Sequence, residues 1–139
     1  MSYATVSDFE NRIGTLFGNV YSGADGAAAA QADLESAAAE VDGALAFRYA
    51  LPIGGERSLT LLKDWTLTLG EERACARTAG SVFAEKVKTR AAQVRTYLEM
   101  VRTDRFRLPD AKERTSSDAR LTLTKGEPPV FGRDHMEGF

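Results

Sequence analysis

The stretch LESAAAEVDGALAFRYALP, residues 34–52, decides the fold of this chain. Its apolar residues recur in steps of four, three and four, at Leu34, Ala38, Val41 and Leu45. Because an α-helix has 3.6 residues per turn, this spacing places them on one face, which predicts a helix buried along that face. Pro52 and the following Gly54-Gly55 cannot easily continue a helix, so the stretch also predicts a sharp end.

Three further helices are predicted around this segment. Thr5-x-x-Asp8 and Ser7-x-x-Glu10 both have the spacing of a helix N-terminus, so Thr5 or Ser7 is expected to cap a short first helix. The apolar stripe of that helix is Val6, Phe9, Ile13 and Phe17. Asp25 is expected to cap the second helix, which the pattern extends from about residue 27 to residue 47. The stripe of the fourth helix is Phe83, Val87, Ala91, Val94, Leu98 and Val101.

The segment before the fourth helix, residues 58–70, fits two interpretations. Its leucines alternate with threonines, and Lys63-Asp64 has the composition of a turn, so a β-hairpin is one interpretation. Leu62, Trp65 and Leu69 also keep helical spacing, and the residues after Gly70 are strong helix formers. We favour the helix. The fold class predicted is therefore all-α: a small four-helix bundle-like domain over residues 1–108 with an extended C-terminal tail over residues 109–139.

The predicted C-terminal segment, residues 109–139, is mostly polar, but apolar residues recur near its end. Residues 120–124 alternate like a short strand, and a Pro-Pro pair presets an extended backbone. Such residues suggest docking on a partner, although a solvated terminus with a few stray apolar side chains is the alternative. The candidate partner-binding residues are Leu121, Leu123, Pro128, Pro129, Val130, Phe131, Arg133 and Phe139.

Composition and motifs favour a structural role over catalysis. With 43% apolar and 27% charged residues, the 139-residue chain resembles an ordinary globular domain, and no stretch is apolar enough to predict a membrane span. The single Cys75 fits a small buried helix residue, and the single His135 lies in the C-terminal segment. No phosphate-binding glycine motif or metal-ligand spacing occurs. We therefore expect no enzyme activity, no cofactor and no metal.

Charge is distributed unevenly along the chain. Residues 1–72 hold 4 basic and 11 acidic side chains, a net charge of −7, whereas residues 73–139 hold 14 and 9, a net charge of +5. Chance and solvated helix faces explain such a split, but so does a ring in which acidic and basic surfaces of neighbouring subunits meet. The inter-subunit contacts expected on the second interpretation involve Asp33, Glu35, Glu40, Lys86, Lys88, Arg90 and Arg95.

Several segments together resemble a known family. They are Met1–Thr5, Ala39–Gly43 with Arg48–Pro52, Leu62-Lys63, Tyr97–Glu99, and Phe131–Asp134 with Gly138-Phe139. In this order they resemble the head–tail connector proteins of Mu-like phages. The segment after the first helix and the threonines at 66–68 depart from the family pattern.

The resemblance implies a virion protein of the neck, made in the host cytoplasm: an adaptor, or head-completion protein, that forms a dodecameric ring. Its implied partners are other copies of itself, the portal protein and a stopper or tail-terminator protein. DNA would pass through the ring without sequence-specific binding, and no membrane would be involved. The alternative is a small helical DNA-binding or regulatory phage protein that uses the basic face of the fourth helix.

Overall fold

The computed structural model describes residues 3–78 and 84–114, and within these ranges the protein is all-α, as predicted. The helices described are α1 (Val6–Ile13), α2 (Thr15–Val20), α3 (Gly26–Leu45), α4 (Glu56–Ala76) and α5 (Ala84–Arg102). The described ranges contain no strand, only an isolated antiparallel bridge between Tyr49 and Glu113. α3, α4 and α5 pack against one another, and α1 and α2 lie against α4.

The predicted first helix is interrupted by Gly14, so the described part has five helices rather than four. Gly14 has φ +60°, a conformation that favours glycine and ends α1 before α2 begins. Thr5, rather than Ser7, is the N-cap: its hydroxyl accepts from the Asp8 N–H at 3.1 Å, and the Asp8 carboxylate accepts from the Thr5 N–H at 3.0 Å.

Residues 58–70 lie within α4, which confirms the helix and excludes the hairpin. Apolar residues alternate with threonines in this segment because α4 is the central helix and is buried on more than one face. Thr66, Leu67 and Thr68 are therefore buried in addition to the predicted face. Gly70 also has a structural reason, because a Cβ there would lie 3.2 Å from the Phe9 ring and 3.3 Å from the Leu34 side chain. The glycine thus lets Phe9 of α1 and Leu34 of α3 pack closely against α4.

The core consists of two clusters of buried side chains. The main cluster joins α3, α4 and α5 through residues such as Val41, Leu62 and Leu98. The N-terminal cluster joins α1, α3 and α4 around Phe9 and Leu34. Most of the stripe residues predicted from the sequence are buried in these clusters. The exceptions are Ala38 and Val87, which are buried outside both clusters, the half-buried Val6, Ile13 and Phe17, and Phe83, which lies outside the described residues.

Residues after α5 fold back on the body up to Arg114. The N–H of the buried Leu108 donates to the Tyr49 hydroxyl at 2.8 Å. Residues 112–114 then run antiparallel to residues 48–50: the Ala50 N–H donates to the Lys112 carbonyl, and the Arg114 N–H to the Arg48 carbonyl, both at 3.0 Å. The first residues of the predicted C-terminal segment therefore lie on the helical body.

Asp110 links this return to the start of α4. Its carboxylate accepts from the backbone N–H groups of Arg57 at 3.0 Å and Ser58 at 2.8 Å, which are free at the helix N-terminus. Gly55, at the N-cap position with φ +100°, has no side chain to do this, and Asp110 packs where its Cβ would be. The hydrogen bond with the Ser58 side chain is the main cause that lowers the pKa of Asp110. A residue 52 positions away thus caps the central helix.

Candidate functional site

Several charged residues that were predicted to contact a neighbouring subunit form ion pairs within their own chain. Glu40 of α3 accepts from Arg95 of α5 at 2.6 Å and from Arg73 of α4 at 3.2 Å, and Arg95 also contacts Glu72 at 2.6 Å. Partial burial alone would raise the pKa of Glu40, but the hydrogen bonds from Arg95 and Arg73 outweigh it and lower that pKa. The network therefore ties three helices together on one side of the body.

Asp33 has a second set of partners inside the chain. Its two carboxylate oxygens accept from the Arg77 guanidinium at 2.7 and 3.0 Å, and the Tyr21 hydroxyl donates to it as well. Arg77 also lies over the Tyr21 ring, 5.6 Å from its centroid. Burial would raise the pKa of Asp33, but Arg77 and Tyr21 more than compensate and lower it. Burial and the bond to Asp33 raise the pKa of Tyr21.

Arg90 is paired on the opposite side of α4. It lies 3.5 Å from Glu71, which Arg12 of α1 also contacts at 3.4 Å, and Arg12 extends to Asp64 at 2.6 Å. Arg90 is half exposed, so its contribution is screened by solvent. Ion pairs within the chain are thus present at four of the residues predicted to contact a neighbouring subunit: Asp33, Glu40, Arg90 and Arg95.

The other three predicted charges have no ion pair within the described residues. Glu35 is exposed on α3 and accepts only from Gln31, at 3.0 Å. Lys86 and Lys88 are exposed near the start of α5. These three side chains therefore keep their charge available for a contact with another molecule. That the seven predicted residues contact a neighbouring subunit stays a prediction.

An open groove of about 600 Å³ runs along the outer face of α5. Its wall includes the neutral side chains of Ala92, Thr96 and Met100, and Lys88 and Arg105 also line it. Neither cation has an ion pair within residues 3–78 and 84–114. The groove is thus a shallow surface of mixed character, without the enclosed polar groups of a small-molecule site.

Exposed apolar side chains occur in the connection between α3 and α4 and in the first turn of α4. Phe47 is 60% exposed, Leu51 41% and Leu59 39%, and we call these three residues the apolar end surface. The helix pattern contained the signal for Phe47, since a residue two positions after Leu45 lies about 200° around a helix from the buried face. Phe47 was nevertheless not among the predicted contact residues.

The predicted partner-binding residues of the C-terminal segment lie outside the described residues. This holds for Leu121 and Leu123 as well as for Pro128, Pro129, Val130, Phe131, Arg133 and Phe139. The last residue described before them, Arg114, is held against Arg48, and its guanidinium donates to the Ala46 carbonyl at 3.1 Å.

The described part of the chain has no cluster of three or more His, Cys, Asp or Glu side chains placed to bind a metal ion. None of the helices described is both long and apolar enough to cross a membrane. Cys75 lies buried in α4.

These features define the class: a small helical protein with internally paired charges and apolar side chains exposed at one end. The sequence matches, over residues 3–124, the family described as Bacteriophage Mu, Gp36. The chain belongs to this phage family. No curated protein matches the sequence.

Proposed function

We propose that this protein is a head–tail connector: an adaptor, or head-completion protein, that forms a dodecameric ring beneath the portal. The ring would extend the DNA channel and join the head to the stopper or tail-terminator protein, which places the protein in the neck of the virion. Membership of the bacteriophage Mu Gp36 family over residues 3–124 is the observation that carries the proposal.

The internal ion pairs support a structural role over the DNA-binding alternative. A DNA-binding face needs basic side chains free to contact phosphates. Of the predicted basic residues of α5, Arg90 is paired with Glu71 and Arg95 with Glu40 and Glu72. Lys86 and Lys88 are left, beside the acidic Glu85. Such a face suits a channel wall or subunit contact better than sequence-specific binding.

Ring formation can be tested with the three unpaired charges. If Glu35 of one subunit faces Lys86 and Lys88 of the next, Lys86→Glu with Lys88→Glu should weaken assembly and Glu35→Lys should restore it in the triple variant. Assembly is measured by analytical ultracentrifugation at low and high salt. Substituting Arg105→Glu, an exposed cation after α5 without an ion pair in the described ranges, is the control. If the triple variant folds but does not recover assembly, Glu35 does not face Lys86 and Lys88 of the next subunit.

The connector role itself is tested in the phage. A phage that lacks the protein should accumulate separate heads and tails, and the full chain supplied in trans should restore joined particles. A chain without residues 126–139 should fold, by circular dichroism, yet fail to enter heads, because Pro128, Pro129 and Phe131 are the proposed anchors. Normal joining of heads and tails without the protein would refute the connector role. Normal incorporation of the shortened chain would refute only the docking element.

A further inference from the structure

The apolar end surface is unusual because its aromatic ring is held in place and yet exposed. The guanidinium of Arg102, in the last turn of α5, lies 5.2 Å from the centroid of the Phe47 ring. This contact fixes one side of the ring, and the side chain is still 60% exposed. Exposed apolar side chains surrounded by charged ones are typical of a contact surface. Arg48, paired with Asp104 at 2.9 Å, lies next to Phe47 in the chain.

The last described residues of the C-terminal segment run towards Phe47, one member of this surface. Residues 112, 113 and 114 lie opposite residues 50, 49 and 48, so each step forward along the C-terminal segment moves one residue closer to Phe47. The Ala46 N–H donates to the Asp42 carbonyl of α3 and is therefore not available to this pairing. The last described pair, Arg48 and Arg114, lies one residue from Phe47.

The sequence that follows carries suitable side chains within reach. Leu121 and Leu123 come seven and nine residues after Arg114. At ~3.3–3.6 Å per extended residue, seven residues span up to ~25 Å, whereas packed helices are ~8–10 Å apart. In an extended segment, residues two apart point to the same side, so both leucines can face one surface while Thr122 faces solvent.

The family match separates this stretch from the rest of the C-terminal segment. It begins at residue 3, runs through the whole helical body and ends at residue 124, immediately after the two leucines. Residues 125–139, with Pro128, Pro129 and Phe131, lie outside it. Leu121 and Leu123 thus belong to the same matched unit as the helices.

We propose that the Leu121–Leu123 segment covers the apolar end surface of its own chain, with both leucines packed on Phe47, Leu51 and Leu59. A link of six residues keeps the segment at a high effective concentration near that surface, which favours the same chain over a second copy. Residues 125–139 are then the part that extends to a partner. The contact does not depend on the connector role.

The test places a fluorescent reporter in the surface of the full-length chain. Phe47→Trp introduces an indole where the side chain is exposed, and the native Trp65, which is 3% exposed, adds a constant background. The emission of the introduced indole should be blue-shifted and protected from iodide quenching at all protein concentrations. Leu121→Ser with Leu123→Ser should abolish the shift and the protection. The matched control, Val130→Ser with Phe131→Ser, should leave both unchanged.

A second measurement uses no substitution in the surface. Hydrogen–deuterium exchange in peptides covering residues 46–60 should be faster in the Leu121→Ser, Leu123→Ser variant than in the unchanged chain. The proposal is overturned if the indole is equally solvated with and without the leucines. It is also overturned if protection appears only as concentration rises, which would identify a second copy as the occupant, or if only the control variant removes it.

Discussion

The described part of the chain contains two groups of three aromatic rings, and they are built from very different parts of the sequence. Phe9, Phe17 and Tyr21 come from α1, α2 and the turn after them, with ring centroids 5.1–6.2 Å apart. Trp65, Tyr97 and Phe106 come from α4, α5 and the segment after α5, at 5.6–5.9 Å. The first group needs one short stretch of chain, whereas the second forms only when distant elements have packed.

The two core clusters differ in the same way. The main cluster buries large aliphatic side chains from three long helices, and several of them, such as Val41 and Leu62, have no exposed surface. The N-terminal cluster depends on the short α1 and on α2, which has no buried residue. Its attachment relies on polar contacts such as the one between Asp33 and Arg77. The main cluster should therefore carry the cooperative stability, and the N-terminal cluster should open at lower free energy.

The largest effect is expected from a charge in the main cluster. Val41→Asp places a carboxylate without a partner at a fully buried position, a change comparable to the total stability of a small domain, so the whole chain should lose its helical signal. Circular dichroism and thermal melting measure this. Ala39→Asp, on the exposed face of the same helix, is the control and should melt almost normally. A cooperative melt in the Val41→Asp variant would mean that the main cluster is not the core.

A smaller and more local effect is expected from Asp33. Asp33→Asn removes the charge that Arg77 and Tyr21 bind, and because Arg77 is 45% exposed, the loss should be about 1–2 kcal/mol. Hydrogen exchange should accelerate in α1 and around Tyr21 more than in α5. Glu35→Gln, an exposed carboxylate on the same helix, is the control. Equal acceleration in α5 would show that the two clusters open together.

The pH dependence of this variant follows from the lowered pKa of Asp33. A carboxyl group whose folded pKa is depressed contributes stability above its unfolded pKa, about 3.9, and loses that contribution as the pH falls through the folded value. The difference in stability between the unchanged chain and Asp33→Asn should thus be constant near pH 7 and shrink below about pH 4. Denaturant titrations at several pH values measure it, and a difference that grows with acidity would contradict the assignment.

The comparison also explains which parts of the fold were predictable from sequence. The helices α3 and α5 and their buried faces follow from spacing alone, and Thr5 with Asp8 follows from a local capping pattern. The long-range contacts do not. Asp110 caps a helix 52 residues earlier, and nothing in its neighbours indicates this.

The candidate surfaces show the same limit. Net charge in each half predicted that acidic and basic side chains would meet, but the spacing of charges could not tell contacts within a chain from contacts between chains. Glu40 and Arg95 meet inside the chain, 55 residues apart in sequence. Gly14 was also missed as a helix break, because the apolar stripe continues across it to Phe17.

Two glycine-to-alanine substitutions compare the two regions through changes of up to about 1 kcal/mol in the free energy of unfolding. Gly43 lies exposed in α3 with nothing within 4 Å of a Cβ, so Gly43→Ala should raise the free energy of unfolding by about 1 kcal/mol through helix propensity. At Gly70 the same gain is opposed by contacts of 3.2 and 3.3 Å with Phe9 and Leu34 of the N-terminal cluster. Gly70→Ala should therefore gain less, as measured by urea unfolding. An equal gain at both positions would mean that Phe9 and Leu34 move aside freely.

The smallest predicted effect concerns two threonines in α4, the helix that both clusters share. The Thr66 hydroxyl is fully buried and has no hydrogen-bond partner among the described residues, whereas the Thr68 hydroxyl donates to the Asp64 carbonyl at 3.0 Å. Thr→Val replaces a hydroxyl by a methyl group of nearly the same size. Because a buried hydroxyl without a partner is destabilising, Thr66→Val should raise the free energy of unfolding by about 0.5–1 kcal/mol. Thr68→Val loses a hydrogen bond and should lower it by a similar amount. Urea unfolding at pH 7 measures the free energy of unfolding of both variants. A loss of stability in Thr66→Val would mean that the Thr66 hydroxyl of the unchanged chain has a partner in solution, such as a buried water.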